Sequence, residues 1–338
     1  MTYVLVTGGA RFIGSNLVRF LRSERPDWTV VKLDKMTYAG NLESLADLRR
    51  DPRHVFVRGD IANAELVEHL CEQHAVDAIV NLAAESHVDR SILGPGIFVE
   101  TNVTGTQILL EAARRSGVRR FVQVSTDEVY GSLGADGRFC ETSPLRPSSP
   151  YSASKTAADL LALAYHRTFG LDVVITRCSN NYGPYQFPEK LIPLMIANAL
   201  EGKRLPVYGD GQQVRDWIHV EDHCAALLLA IERARAGEIY NVGSDNEWPN
   251  LSIVRKLLEI LRQPEHLIEH VKDRPGHDRR YAIDAGKARA ELGWAPCIPF
   301  ADGLERTVRW YVANRPWCDR VRSGEYRAYY EKNYGARG

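Results

Sequence analysis

A tyrosine and a lysine four residues apart carry the clearest chemistry in this 338-residue chain. In Tyr151-Ser152-Ala153-Ser154-Lys155 the spacing puts Tyr151 and Lys155 on one helical face. An ammonium beside a phenol stabilises phenolate and lowers a pKa that starts near about 10. Tyr151 is therefore a candidate base for a substrate hydroxyl at neutral pH. A second chemical signal is Thr7-Gly8-Gly9-Ala10-Arg11-Phe12-Ile13-Gly14, between an apolar run and a helical pattern. Glycine lets the chain reverse there, and a helix start offers N–H groups and a positive dipole end to a pyrophosphate. Asp34 ends the next apolar run, 20 positions after Gly14, where a carboxylate accepts hydrogen bonds from ribose hydroxyls. Asp60 follows the third run and is placed to face an adenine ring.

These features predict a dinucleotide site. One residue departs from the glycine pattern: Arg11 stands where the middle glycine normally lets backbone approach the phosphates. Its side chain either crowds the cofactor or swings outward to pair with a phosphate oxygen. Arg11 and Lys35 favour a 2′-phosphate, but Asp34 would repel one, so NAD is expected over NADP.

Positioning these groups requires alternating strands and helices. Residues 4–6, 30–33, 55–57, 78–82, 121–124 and 173–176 read as short buried strands. Helical patterns include 15–23, 103–116 and 153–169. Repeated strand–helix–strand crossovers predict an α/β fold, a Rossmann-type doubly wound parallel sheet. After Cys178 prolines and glycines become frequent, then residues 216–233 and 239–242 read as a helix and strand returning to the sheet. The expected division is an NAD-binding Rossmann domain, 1–178 plus 216–245. A smaller mixed α/β substrate-binding cap takes 179–215 plus 246–315, and 316–338 forms a peripheral C-terminal tail.

Composition bounds the function. The chain has 43 Lys+Arg, 43 Asp+Glu, 44% hydrophobic and 25% charged residues. That is globular usage, and it excludes disorder and binding of a polyanion by bulk charge. Six scattered cysteines without CxxC or Cys/His spacing point to reduced thiols and no metal site. With no signal peptide and no long apolar run, a soluble cytoplasmic protein is expected.

The chain resembles the extended short-chain dehydrogenase/reductase family over nearly its whole length. The likeness is carried by Leu82-Ala83-Ala84-Glu85-Ser86-His87-Val88-Asp89-Arg90-Ser91, Ser125-Thr126-Asp127-Glu128-Val129-Tyr130-Gly131, Ser179-Asn180-Asn181-Tyr182-Gly183-Pro184 and Asp273-Arg274-Pro275-Gly276-His277-Asp278. Within the family it is similar to the branch that dehydrates nucleotide sugars, which implies dTDP-glucose as substrate. Epimerases of the family usually have small residues where Asp127 and Glu128 stand, and losing water needs an acid and a base. The resemblance implies that Tyr151 takes the proton of the sugar 4-OH, with Lys155 and Thr126 assisting, as hydride leaves C4 for NAD. Glu128 then removes the C5 proton while Asp127 protonates the departing C6 hydroxyl, with a pKa raised by burial and by its acidic neighbour. Hydride returns to C6 and a proton to C5, and the product is a 4-keto-6-deoxy sugar.

The implied cofactor contacts add Thr37, Ile61, Leu82, Ala83, Ala84, Ser86, Thr101 and Asn181 to Gly8, Phe12, Ile13, Gly14, Asp34, Lys35, Asp60, Tyr151 and Lys155. The implied substrate contacts are Ser86, Thr126, Asn180, Lys190, Leu191, Pro206, Tyr208, Arg215, Asn250, Arg274 and His277. Apolar stripes at Val99, Val103, Leu110 and at Leu160, Leu161, Ala164 are either core or, as the resemblance implies, a homodimer interface. Competing readings are another nucleotide-sugar dehydratase, a 4-epimerase, or a catalytically silent NAD-binding sensor.

Overall fold

The computed structural model describes residues 2–273 and 275–322. Its first half alternates β1 (Tyr3–Thr7), α1 (Phe12–Glu24), β2 (Thr29–Asp34), β3 (His54–Arg58), α2 (Ala64–Gln73), β4 (Ala78–Asn81), α3 (Val88–Leu93), the single turn α4 (Gly96–Phe98), α5 (Gly105–Arg115), β5 (Arg120–Thr126), α6 (Pro150–Phe169) and β6 (Val173–Cys178). The second half runs β7 (Asn180–Tyr182), α7 (Leu191–Leu200), β8 (Leu205–Tyr208), β9 (Val214–His219), α8 (Val220–Arg233), β10 (Ile239–Val242), β11 (Glu247–Pro249), α9 (Asn250–Leu261), β12 (Ile268–Val271), α10 (Phe300–Ala313) and α11 (Arg315–Val321).

Seven strands form one parallel sheet in the order β10-β6-β5-β4-β1-β2-β3. Its strands are covered on both faces, and alternate side chains serve opposite cores. Val4 and Val6 of β1 join Leu17, Leu21 and Leu227 of α1 and α8 on one face. Leu5, between them, joins Val67, Leu109 and Ala162 of α2, α5 and α6 on the other. The strand order reverses at β1 and β4, so a crevice opens at the carboxyl ends of β1, β4 and β5, where such sheets bind ligands. A Rossmann-type α/β fold is thus established.

A separate apolar core gathers α7, α9, α10 and α11 around Tyr182 and Trp217. It lies beside a three-stranded sheet, β11-β9-β7, and a parallel pair, β12-β8.

Three local expectations change. The stretch 216–233 is not one helix: Asp216–His219 extend β9, and α8 begins at Val220. The buried Asp216 carboxylate accepts the N–H groups of Ser244 at 3.0 Å and Asn246 at 2.7 Å, pinning β9 beside the start of β11. The helix expected at 103–116 is α5, entered through a wider π-type turn at Val99–Thr104. The start of the expected tail is also packed: Trp317, Cys318 and Val321 of α11 are buried in the second core. Residues 323–338 of that tail lie outside the described residues.

None of the six cysteines is in a disulfide; Cys140 and Cys297 are exposed and the other four buried. No helix among the described residues is long and apolar enough to cross a membrane.

Lys32, in the middle of β2, is only 1% exposed. Its stem runs under Gly9 and its ammonium lies 4.5 Å from the Phe56 ring centre. Burial pulls its pKa down to about 8, with Asp34 opposing. Below that value the folded state carries a charge it solvates poorly, at a cost of up to about 3 kcal/mol. The cost fades as the pH climbs from the folded value towards the unfolded one near 10.5. Lys32→Met is therefore expected to raise the thermal midpoint at neutral pH, with the gain shrinking in melts near about pH 10. A gain that does not change with pH would rule out the charge as its cause.

Candidate active site

The glycine turn after β1 is sterically demanding at two positions. Gly8 has φ +67°, and a Cβ there would come within 2.9 Å of Ala83 backbone atoms. A Cβ on Gly14 would come within 2.2 Å of the Gly8 carbonyl oxygen. Both glycines are therefore needed for α1 to start tight against β4, with its first-turn N–H groups facing the crevice. Asp34, at the end of β2, accepts the Ala10 N–H at 2.9 Å and the Met36 N–H at 2.8 Å. Its carboxylate thus ties the glycine turn to the next loop and still lines the hollow there.

That hollow is bordered by Asp34, Lys35, Thr37, Asp60, Ile61, Ala83 and Thr101. Thr101 arrives from the π-type turn before α5, a widened geometry often found at functional sites. Lys35 is engaged by Asp60 at 2.5 Å, so the cation beside Asp34 is already neutralised. This arrangement suits adenosine ribose with free hydroxyls better than one carrying a 2′-phosphate. Glycine cradle, helix start and carboxylate together fit a dinucleotide.

The crevice continues into a second hollow past Gly8, Arg11 and Ala84, which line both. Phe12, Ile13, Gly14, Leu82, Ser86, Thr126, Asp127, Glu128, Tyr151, Lys155, Asn180, Asn181 and Lys190 line this half. Helix α6 brings Tyr151 and Lys155 here because its start is strongly specified. Ser149 and Ser152 form a reciprocal capping box, and Pro150 occupies the first turn. Asp127 and Glu128 stand where β5 ends in a tight turn, with the Glu128 N–H donating to Thr126 Oγ1 at 3.3 Å.

The electrostatics separate the two acids. Asp127 is completely buried, and burial first, then Glu128 and Asp216, push its pKa well above the ordinary carboxylate range. Its Oδ1 accepts the Thr126 hydroxyl at 3.3 Å, while its Oδ2 is buried without a hydrogen-bond partner in the structure. A carboxyl group at the wall of the hollow that holds its proton more tightly than usual is suited to donating it. Glu128 is partly exposed and borders a third hollow as well.

The Tyr151–Lys155 pair differs from expectation. Burial first, then Glu128, raise the Tyr151 phenol, with Thr126 hydrogen bonding the opposing influence. The Lys155 ammonium donates to the Val124 carbonyl at 2.7 Å. Burial also lowers Lys155, and Asp159, four residues further along α6, opposes that.

Asp127 also links chemistry to stability. Its folded pKa lies above the unfolded 3.8, so on raising the pH the unfolded chain ionises first and the folded state loses ground. Asp127→Asn is therefore expected to raise the thermal midpoint more near about pH 8 than near about pH 5. Parallel melts of both proteins test this; a difference independent of pH is the contrary result.

The third hollow opens beside Glu128, Asn180 and Lys190 and is walled by Leu191, Pro206, Tyr208, Arg215, Asn250 and His277. Lys190 donates to the Ser86 carbonyl at 2.9 Å, and Tyr208 donates to Asp89 at 2.8 Å. Arg215 is buried, held by the Asp278 carbonyl at 2.9 Å and lying 4.2 Å from the Tyr281 ring centre. His277 Nδ1 sits 2.6 Å from Asp273 Oδ1. Arg274 lies outside the described residues. The Asn250 Oδ1 is buried without a hydrogen-bond partner.

Several contributors escape sequence reasoning. Asp159 and Arg177 form a fully buried ion pair at 2.9 Å, and Arg177 also donates to the Tyr130 hydroxyl at 3.0 Å. His223, buried and held neutral with its pKa lowered to about 3 by burial, meets Asn181 Oδ1 at 2.9 Å and orients that amide. Tyr38 donates to Glu189 at 2.9 Å, joining the glycine-turn side of the crevice to the second core. Only Asp159 has a local signal, its spacing of four from Lys155. Among the described residues no cluster of His, Cys, Asp or Glu is arranged to hold a metal ion.

A parallel sheet, a glycine cradle and a Tyr–Lys helix define the extended short-chain dehydrogenase/reductase class, and a family model described as GDP-mannose 4,6 dehydratase matches residues 5–307, so the chain belongs to that family. Among its curated relatives, dTDP-glucose 4,6-dehydratase of Xanthomonas campestris pv. campestris (strain B100) is 53% identical, over 96% of this chain and 97% of the relative. dTDP-glucose 4,6-dehydratase 1 of Escherichia coli (strain K12) is 50% identical over 99% of both. The crystal structure of DesIV, a dTDP-glucose 4,6-dehydratase from Streptomyces venezuelae with NAD and TDP bound, superimposes with TM-score 0.92 at 54% identity. It covers 95% of this chain and 100% of its own.

Proposed function

We propose that this chain is an NAD-dependent lyase that removes water from dTDP-glucose to give dTDP-4-keto-6-deoxyglucose. The observation that carries this is the Asp127–Glu128 pair at the end of β5, lining the same hollow as Tyr151, Lys155 and Thr126. Two carboxyl groups of unlike environment supply an acid and a base, which elimination needs and epimerisation does not. The near full-length dehydratase relatives at 50% and 53% identity support the same reading.

NAD, bound along the first two hollows, accepts hydride from sugar C4 and returns it to C6. Gly8, Phe12, Ile13 and Gly14 hold the phosphate region; Asp34, Lys35, Thr37, Asp60, Ile61, Ala83 and Thr101 hold the adenosine end. Leu82, Ala84, Ser86 and Asn181 flank the reactive end. Tyr151 Oη takes the proton of the sugar 4-OH, helped by Thr126, and Lys155 holds the charge nearby. With a ketone at C4 the C5 proton is acidic, and a Glu128 carboxylate oxygen takes it. Asp127 gives its proton to the C6 hydroxyl, which departs as water, and as hydride reaches C6 a proton returns to C5 from Glu128. Lys190, Arg215, His277 and Arg274 meet the nucleotide diphosphate, with Ser86, Asn180, Leu191, Pro206, Tyr208 and Asn250 around the sugar and base. The division into a nucleotide-binding unit, 1–178 plus 216–245, and a cap, 179–215 plus 246–315, follows from these roles.

Incubating the purified protein with dTDP-glucose and following product mass is the direct test. Loss of one water is expected. An isomer of unchanged mass points to a 4-epimerase, and no product with NAD bound leaves a silent sensor. In heavy water, a product lacking deuterium at C5 removes the role given to Glu128.

The protein is further proposed to act in the cytoplasm, in deoxysugar biosynthesis, as a homodimer through α5 and α6. Val99 and Leu160 are each 54% exposed, and Ile92, Leu93 and Ile97 nearby are also exposed. Leu110, from the predicted stripe, is instead fully buried. Light scattering of the wild type should give two chains, and Leu160→Glu should give one.

A further inference from the structure

We propose that Arg11 is a clasp on the cofactor's diphosphate, pairing with its oxygens and slowing release of NAD; this rests on the NAD reading above. A dinucleotide carries its diphosphate between its two nucleosides. In this crevice the two nucleoside hollows meet at a waist, and the residues lining both are Gly8, Arg11 and Ala84. Of these, Arg11 alone carries a charged side chain.

The side chain already reaches across that waist. From the N-cap of α1, the Arg11 guanidinium donates to the Ala84 carbonyl and, at 3.2 Å, to Thr37 Oγ1. It lies 3.8 Å from Glu85 Oε1 and 5.7 Å from the Tyr38 ring centre. Its partners are thus a neutral carbonyl, a neutral hydroxyl and a carboxylate at long range. A diphosphate offers paired anionic oxygens that match the guanidinium fork.

The backbone accepts this residue without strain. Arg11 has φ −92° and ψ 179°, an extended conformation open to any amino acid. The steric demand falls on Gly8 and Gly14, and both are present. Arginine at the middle position therefore leaves the cradle intact and adds a cation to what the helix N–H groups already offer.

The test uses the NAD-loaded protein and measures bound NAD released into an excess of competing cofactor, for wild type, Arg11→Gly and Arg11→Lys. Arg11→Gly is expected to release NAD about ten-fold faster or more, because a bidentate charged hydrogen bond is lost. Arg11→Lys keeps the charge without the fork and falls between. Wild-type release should accelerate with salt more steeply than Arg11→Gly release. In equilibrium binding, ADP-ribose should weaken in Arg11→Gly while adenosine, which has no diphosphate, is unchanged. Equal or slower release from Arg11→Gly overturns the proposal, since the side chain then crowds the site. So does an equal loss of ADP-ribose and adenosine binding, which marks a distorted loop. Wild-type protein that binds no NAD at all defeats the cofactor reading instead.

Discussion

Asp127→Asn is expected to slow the loss of water roughly 10²- to 10⁴-fold, the usual range for removing a positioned acid, while leaving oxidation at C4 in place. The buried Asp127 carboxyl, its pKa raised by burial, has one oxygen accepting the Thr126 hydroxyl and another buried without a hydrogen-bond partner. Asparagine keeps the volume and can still meet Thr126, but it has no proton to give a departing hydroxyl. The variant should therefore build up reduced nicotinamide on mixing with dTDP-glucose, a signal the wild type shows only transiently. Rapid-mixing absorbance together with product mass reads both steps. Wild-type rates would remove Asp127 from the reaction; loss of both signals would assign it to the hydride step.

Tyr151→Phe is expected to abolish the earlier step, by a similar roughly 10²- to 10⁴-fold, so that neither reduced nicotinamide nor dehydrated product forms. Only the phenol oxygen is lost, from a side chain already 8% exposed, so folding should be little affected. The wild-type rate of C4 oxidation should fall as pH drops, since the base must be unprotonated. Burial and Glu128 raise that phenol, and a hydrogen bond with Thr126 opposes them. Thr126→Val should therefore push the acid limb of the profile to higher pH. An acid limb that stays in place means that the Thr126 hydroxyl serves only Asp127.

Much of this was legible because its signals are local. Tyr151 and Lys155 are one helical turn apart, and Gly8, Gly14 and Asp34 flank β1 and β2 at short spacing. Val4, Leu5 and Val6 read as a doubly covered strand because all three are apolar, and each does reach a core. Misreadings arise where a partner is remote. Asp216–His219 run into α8 with no breaker, and only pairing with β7 and β11 makes them a strand. The Lys155 ammonium donates to a carbonyl 31 residues away, a partner that its spacing from Tyr151 does not announce. Tyr38 and Glu189 meet across 151 residues, and His223 and Asn181 across 42, distances that no local pattern encodes.

Glu128, Asn180 and Lys190 are walls of two hollows at once. On the function proposed above, a sugar resting against them would lie over the reactive end of the dinucleotide and bar its way out. The cofactor would then travel as a passenger through each catalytic cycle, entering before the sugar and outlasting it. Flux through such an enzyme follows the supply of nucleotide sugar and is insulated from the cell's ratio of oxidised to reduced dinucleotide.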